Sequence, residues 1–383
     1  MKKITVVTAA RSEYGILKPL ISKLKQESQF QVQLVATGTH LVKKHGNTQE
    51  EILQDGNEIY EKIPILESGN TSCDISFTIA NAAKNFALYF AKEKPDLLIV
   101  LGDRTELLGI CSAAINERVP IAHLHGGELT EGAVDDCVRH AVTKMSYLHF
   151  PSTEEYRRRI IQMGEHPERV FAVGALGIEN ILKTPLLDRK EICEKLGIPF
   201  HQAYVMVTFH PVTLENQTPI QQVKALIQAI KQKEDYFYYV TKANADAGGD
   251  EINQFFEKLA SQQKNVKLAA SLGTLKYLSA VKHSAFVLGN SSSGIIEAPA
   301  LGTPSINIGD RQKGRIMPET VINCEPDKNL ILAAMEIAAH QQRYVSLRYG
   351  DGNTSDKIIV ILKKHLFREK IDLKKTFYDI KIT

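Results

Sequence analysis

No cysteine framework, no membrane-length apolar run and no dinucleotide glycine pattern organises this chain, and each absence removes a class of function. The five cysteines, Cys73, Cys111, Cys137, Cys193 and Cys324, are scattered, and no Cys-x-x-Cys pair occurs. Neither a zinc site nor a disulfide scaffold is therefore expected, and no metal. No apolar run reaches the length of a bilayer span, so no membrane partner is expected. The opening MKKITVVTAARSEYG lacks the apolar stretch and cleavage site of a secretory signal, which makes the cytoplasm the expected compartment. The formal net charge is only +3 and the basic residues are dispersed, which argues against a nucleic-acid surface. After the first apolar strand only Gly15 lies in the turn, so a nicotinamide cofactor is not expected, and no P-loop lysine pattern is present. The chemistry is expected to need no cofactor.

What is present is a long alternation of short apolar runs and amphipathic stretches. At 383 residues the chain exceeds the usual limit of one core, so two domains are expected. Apolar strands are read at 4–9, 32–37, 97–101, 119–124, 147–151 and 170–173, with helical periodicity between them. The pattern weakens from Gly177 to Lys190, where Pro185 breaks it, and then restarts with strands at 203–208, 236–241, 266–268 and 286–288. Such alternation is the signature of parallel βαβ units. The expected fold class is α/β, with two Rossmann-like doubly wound domains, 1–178 and 179–364, facing across an interdomain cleft. The basic tail from about 365 to 383 ends in Phe377-Tyr378-Asp379-Ile380, apolar enough to dock.

Ionisable residues gather where strands end. Leu97–Leu101 runs into Gly102-Asp103-Arg104, and the run at 119–124 leads into His125, Glu128, Asp135 and Asp136. Ligands of open α/β sheets collect beyond the strands' carboxyl ends, so these groups can converge on one crevice. The competing account is helix caps and loops, which favour the same residue types. Arg11, in the first turn, suits an anionic or hydroxylated ligand. In the second half, Gly289-Asn290-Ser291-Ser292-Ser293-Gly294 joins a strand to a helix start, a fit for a diphosphate. Glu297, one turn on, is placed for a ribose diol, and Arg311 for the base or the phosphates. His210, after the strand 203–208, is an acid/base or phosphate-contact candidate.

Together the motifs LGDRTELL, HLHGGELTEGAVDDCVRH, STEEY, TFHPVT, GNSSSGIIE and INIGDRQKGR resemble the bacterial hydrolysing UDP-N-acetylglucosamine 2-epimerases. The resemblance runs from Thr5 to beyond Gly314 and includes the FYDI tail. It implies the GT-B architecture, with a C-terminal segment returning to the first domain, a UDP-sugar substrate and a homodimer or homotetramer. It implies acid/base roles for Asp103 and Asp135, and contact with the substrate near its phosphates for Arg104 and His210. Ser291 and Ser292 would hold the diphosphate, Glu297 the ribose, and Arg311 and Tyr277 the nucleotide end. Arg11 and Asn244 fall at further contact positions. His125 stands where some relatives carry a glutamate, and either it or Glu128 takes that role.

The implied reaction converts UDP-N-acetylglucosamine and water to N-acetylmannosamine and UDP through 2-acetamidoglucal, the first step of sialic acid synthesis. The same branch also acts on UDP-N,N′-diacetylbacillosamine, towards legionaminic acid. A GT-B glycosyltransferase would share the fold and nucleotide site, but has no need of the Asp103/Asp135 cluster.

Overall fold

The computed structural model describes residues 1–42, 48–67, 69, 71–129, 134–211, 218–243, 249–269, 272–369 and 371–380. Two compact units divide the chain. One comprises Met1–Asn180 with Gly350–Thr383, the other Ile181–Tyr349.

The first unit opens with strand β1 (Lys2–Thr8), helix α1 (Arg11–Gln26), β2 (Phe30–Thr37), α2 (Gln49–Gln54), β3 (Glu61–Ile63) and α3 (Ser72–Glu93). It continues with β4 (Leu97–Leu101), α4 (Leu107–Asn116), β5 (Ile121–Leu124), α5 (Val134–Met145), β6 (Leu148–Phe150), α6 (Glu154–Gln162) and the start of α7 (Leu176–Lys183), a helix that the boundary after Asn180 divides. The strands are parallel in the order β3-β2-β1-β4-β5-β6, with Ile4 in register between Val32 and Leu97. Alternate side chains feed two cores. Ile4, Val6, Leu97 and Ile99 pack against Leu17, Leu20, Ile21 and Leu24 of α1, which share one helix face at the 3, 4, 7 spacing. Val7, Leu98 and Val100 pack against Phe86, Phe90, Ile110 and Cys111 from α3 and α4 on the other side. All five residues of β4 are buried, which is why this central strand reads as an unbroken apolar run.

The second unit repeats the plan with α8 (Arg189–Leu196), β7 (Tyr204–Thr208), α9 (Pro219–Gln232), β8 (Phe237–Thr241), α10 (Gly249–Gln262), β9 (Val266–Ala269) and α11 (Thr274–His283). Then come β10 (Val287–Gly289), α12 (Glu297–Ala300), β11 (Ser305–Ile308), β12 (Val321–Cys324) and α13 (Lys328–His340). Its sheet is parallel in the order β12-β11-β10-β7-β8-β9, the same topology as the first. Capping sets the helix starts. Thr218 and Gln221 form a reciprocal box ahead of Pro219, and Asp188 and Glu191 form another at α8. In each unit the strand order reverses between two neighbours, β1 and β4 in one and β7 and β10 in the other, and crevices for ligands form beyond such switch points.

The last helix, α14 (Thr354–Lys363), belongs to the first unit, where Ile358, Ile359 and Leu362 join the α1 core. The return therefore begins at Gly350, ahead of residue 365. Beyond α14, Phe377 of the tail covers Gly164, where a Cβ would lie 2.2 Å from the ring. Two details depart from the expected elements. Residues 170–173 form no strand, only a single bridge from Val170 to His149. The edge strands β3 and β12, of three and four residues, carry too short a pattern to be read from sequence.

Candidate functional site

In the first unit, the carboxyl ends of β1, β4 and β5 carry the ionisable cluster. Its hub is Arg139, which α5 buries almost completely. One terminal nitrogen donates to Oδ2 of Asp103, directly after β4. The other donates to the Glu128 carbonyl at 2.9 Å and to Oδ1 of Asp136 at 3.3 Å. Asp136 lies one turn before Arg139 on α5, so the ion pair follows from helical spacing. Asp136 also lies 3.4 Å from Nε2 of His140. Asp135, in the exposed first turn of α5, has its carboxyl pushed up by desolvation and then by the Asp103 charge, a sign that the two carboxylates share one field.

His125 follows β5 with a left-handed backbone, φ 61°, costly for a residue with a Cβ. Its own N–H is tied to the Phe150 carbonyl at 3.1 Å, and its Nδ1 lies 3.3 Å from Oε1 of Glu128. Ser152 donates to that same carboxylate oxygen at 3.3 Å. The ring's other nitrogen, Nε2, is buried with no hydrogen-bond partner among the described residues. Behind it, His123 is fully buried, and burial lowers its pKa to about 3. Its neutral ring donates from Nε2 to the Gly102 carbonyl at 2.7 Å and accepts at Nδ1 from Thr143 at 3.1 Å, which fixes the turn that leads into Asp103.

Arg104 sits on the β1 side of this cluster. Its Nε donates to Glu106 at 2.6 Å and lies 4.0 Å from Glu13. Arg11 is an exposed neighbour at the start of α1, paired through its Nε with Glu51 at 2.7 Å. The first unit thus brings Asp103, Arg104, His125, Glu128 and Asp135 to one edge of the sheet. Glu13, Glu106 and Arg139 belong to the same group, although sequence reasoning left them unassigned. Arg139 was legible in the Asp-x-x-Arg spacing. Glu13 sits in a helix's first turn, where a carboxylate is commonplace.

In the second unit, Asn290 organises the carboxyl ends of β7 and β10. Its side chain accepts from the His210 N–H at 2.7 Å and donates back to the His210 carbonyl at 2.8 Å. Gly289 lets this backbone through, since a Cβ there would lie 1.9 Å from the Thr208 carbonyl. Ser291 caps the short turn beyond, accepting from the Ser293 N–H at 3.3 Å. Ser292 opens that turn and is half-buried. Tyr277 donates to Ser293 Oγ at 2.7 Å, and burial pushes its phenol up to about 12. Burial also pushes the Glu297 carboxyl up; its Oε2 is buried and makes no hydrogen bond among the described residues. A buried acceptor of that kind suits a hydroxyl donor.

Arg311 donates to the Asn290 carbonyl at 3.2 Å, beside Gln312 at 2.8 Å. It therefore braces the serine turn, rather than only extending towards a ligand. Arg315, four residues on, faces the Glu297 charge, and its guanidinium makes no hydrogen bond among the described residues. It lines a cavity of about 630 Å³ between the loop 309–317, β12 and α13, which Ser291, Tyr277 and Glu297 do not line. Asn244 lies outside the described residues. Among the described residues, no group of three His, Cys, Asp or Glu side chains is placed to hold a metal.

Comparison with known proteins gives the family. The profile of the UDP-N-acetylglucosamine 2-epimerase family matches residues 22–363. The chain is 36% identical to the polysialic acid biosynthesis protein P7 of Escherichia coli, over 99% of this chain and 98% of that one. It is 37% identical to the hydrolysing GDP/UDP-N,N′-diacetylbacillosamine 2-epimerase of Campylobacter jejuni, over 85% of this chain and 84% of that one. Its fold matches the Neisseria meningitidis UDP-GlcNAc 2-epimerase crystallised with UDP-GlcNAc, with a TM-score of 0.79 over 95% of this chain and all of that one, at 18% identity. Two doubly wound units with these strand orders, and a profile match over most of the chain, place the protein in the UDP-N-acetylglucosamine 2-epimerase family.

Proposed function

We propose that this protein is a hydrolysing 2-epimerase that converts UDP-N-acetylglucosamine and water to N-acetylmannosamine and UDP, as the first step of sialic acid synthesis. The observation that carries this reading is the gathering of Asp103, Asp135 and the His125–Glu128 pair around Arg139, in a chain of this family. Its similarity to a polysialic acid biosynthesis protein supports the pathway. A carboxylate of this cluster removes the proton from C2 while the C1–O bond to UDP breaks, giving 2-acetamidoglucal. Water then adds its hydroxyl to C1, and C2 is reprotonated from the opposite face. The sequence has no net oxidation or reduction, so a nicotinamide is not needed. The C2 proton is weakly acidic, so UDP departure must be well advanced when it moves, and a strong anion site is required.

Arg104, His210, Ser291 and Ser292 would take the diphosphate, Glu297 the ribose diol through its unmatched Oε2, and Tyr277 and Arg311 the nucleotide end. Arg11 and Asn244 would serve at the periphery. The reading includes a cytoplasmic location, in keeping with five scattered cysteines, and a homodimer or homotetramer. The similarity to the Campylobacter jejuni protein favours a second reading, in which the sugar is N,N′-diacetylbacillosamine and the pathway leads to legionaminic acid. Incubation with each nucleotide sugar, followed by NMR of the products, decides. Free N-acetylmannosamine and UDP from UDP-N-acetylglucosamine are expected, and turnover of the bacillosamine derivative alone would transfer the assignment.

A further inference from the structure

At the switch point of the first sheet, three charged side chains from a helix turn and a loop meet. Glu13 comes from the first turn of α1, and Arg104 and Glu106 come from the loop after β4. Glu106 is buried and accepts a hydrogen bond from the Arg104 Nε–H at 2.6 Å. Glu13 faces the same edge of the guanidinium at 4.0 Å through Oε1, while its Oε2 accepts the Ala9 N–H at 2.7 Å. The guanidinium is thus held along its Nε edge. Its two terminal nitrogens donate no hydrogen bond among the described residues.

We propose that Glu13 is a positioning residue for Arg104 that takes up a proton when the diphosphate end of a nucleotide sugar binds there. The inference rests on the function proposed above and adds to it a residue and a proton.

Charge balance governs what this group can receive. With both glutamates ionised, the Glu13–Arg104–Glu106 group carries a net charge of about −1, poorly suited to receive an anion. Protonating Glu13 brings the group to neutrality while its carboxyl still fills the same space. Glu13 is placed to change state. Desolvation raises it to about 7, against the pull of Arg104 and of the Ala9 and Ala10 amides, and the Glu106 charge pushes it up further. His40, beyond Thr8 in the turn after β2, is kept neutral by burial at about 4, so it adds no compensating positive charge at neutral pH. A diphosphate beside Arg104 brings negative charge and raises Glu13 again. Linkage then fixes the sign. A group whose proton affinity rises on binding takes up a proton, and the ligand is held less tightly as the pH climbs above that group's free value.

The test is calorimetric titration of UDP into the full-length protein between about pH 7.5 and 9, where the terminal phosphate (second pKa about 6) is fully ionised. Repeating it in two buffers of different ionisation enthalpy gives the protons taken up per UDP. The wild type is expected to take up a fraction of a proton, most between the free and bound values of Glu13. Its affinity should fall by up to about tenfold per pH unit. Glu13→Gln, which mimics the protonated carboxyl, should bind UDP with a nearly flat profile and no uptake. A structural role alone would change affinity without changing proton count. Wild-type binding without proton uptake overturns the proposal, and needs no variant to fold. Equal uptake by wild type and Glu13→Gln overturns it too, because the proton then goes elsewhere. A wild type that binds no UDP at all overturns the functional reading itself, and this inference with it.

Discussion

The guanidinium of Arg139 is bonded to the carboxylate of Asp103, and that pair ties α5 to the end of β4. Because the same guanidinium also holds Asp136 and the Glu128 carbonyl, its loss releases three parts of the cluster together. Arg139→Met keeps volume but leaves Asp103 and Asp136 without their shared cation. A cost of about 2–4 kcal/mol in unfolding free energy is expected, with turnover reduced about 100-fold or more. Arg139→Lys keeps the charge but not the planar fork, and should recover stability better than turnover. Urea denaturation and product assays on both variants check this.

Arg139 also shows how much of the site was legible from sequence. Strand-end clusters such as Gly102-Asp103-Arg104 announce themselves because a buried parallel strand is an unbroken apolar run, and polarity returns abruptly where it ends. The twin sheets follow from the same signal. Which polar residues serve others is not written in that pattern. Glu13 resembles any first-turn carboxylate, and Asn290 resembles a loop residue until its two bonds to His210 are seen. The position of Arg311 after β11 suggests a ligand contact, yet its side chain also bonds the Asn290 carbonyl. Long-range partners are set by how the strands stack sideways, and a one-dimensional pattern does not carry that.

Asn290 gives a second prediction. It is fully buried, and its side chain satisfies both backbone groups of His210. Asn290→Ala removes both bonds, at about 1–3 kcal/mol for each group left unsatisfied. Asn290→Asp keeps the acceptor and loses the donor, so its stability should fall between the two. If His210 and the serine turn hold the diphosphate, UDP affinity should drop roughly tenfold or more in the alanine variant, since about 1.4 kcal/mol corresponds to tenfold. An alanine variant that is destabilised but binds UDP normally would separate the scaffold from the binding role.

The tail gives a third. Glu165 is fully buried and accepts from Lys144 at 2.7 Å, His149 at 3.0 Å and Lys375 of the tail at 2.7 Å. Burial opposes its charge, but these three donors outweigh it and bring the carboxyl from 4.5 down to about 2. A carboxylate lowered in the folded state contributes stability that is fully present above its unfolded value. That contribution is lost as the pH falls from about 4.5 towards 2. Lys375→Met should therefore cost about 1–3 kcal/mol at neutral pH. The gap from wild type should narrow through that acid window. Denaturation curves at about pH 7 and pH 3.5 measure it, and a gap independent of pH would show that Lys375 acts through packing and its bonds to the Lys144 and Ser146 carbonyls rather than through Glu165.

The last prediction tests the chemistry. Desolvation, and then the charge of Asp103, raise the Asp135 carboxyl, so the pair sets a carboxylate beside a carboxyl more ready to carry a proton. An elimination followed by hydration needs that combination, one group to remove the C2 proton and one to return a proton to the other face. The hydrogen at C2 is then exchanged for one from solvent, and turnover in heavy water should give N-acetylmannosamine with deuterium at C2. Asp103→Asn and Asp135→Asn should each reduce turnover by about 100- to 10,000-fold. UDP binding should survive in both variants, because the groups proposed to hold UDP are mainly Ser291, Ser292 and Arg311 in the second unit. A variant that slows hydration more than elimination would release 2-acetamidoglucal, which NMR detects directly. It would also assign that aspartate to the second step. A glycosyltransferase would break only the anomeric bond and leave C2 untouched. Product that retains its original hydrogen at C2 would exclude the elimination route and return the cluster to a role in binding.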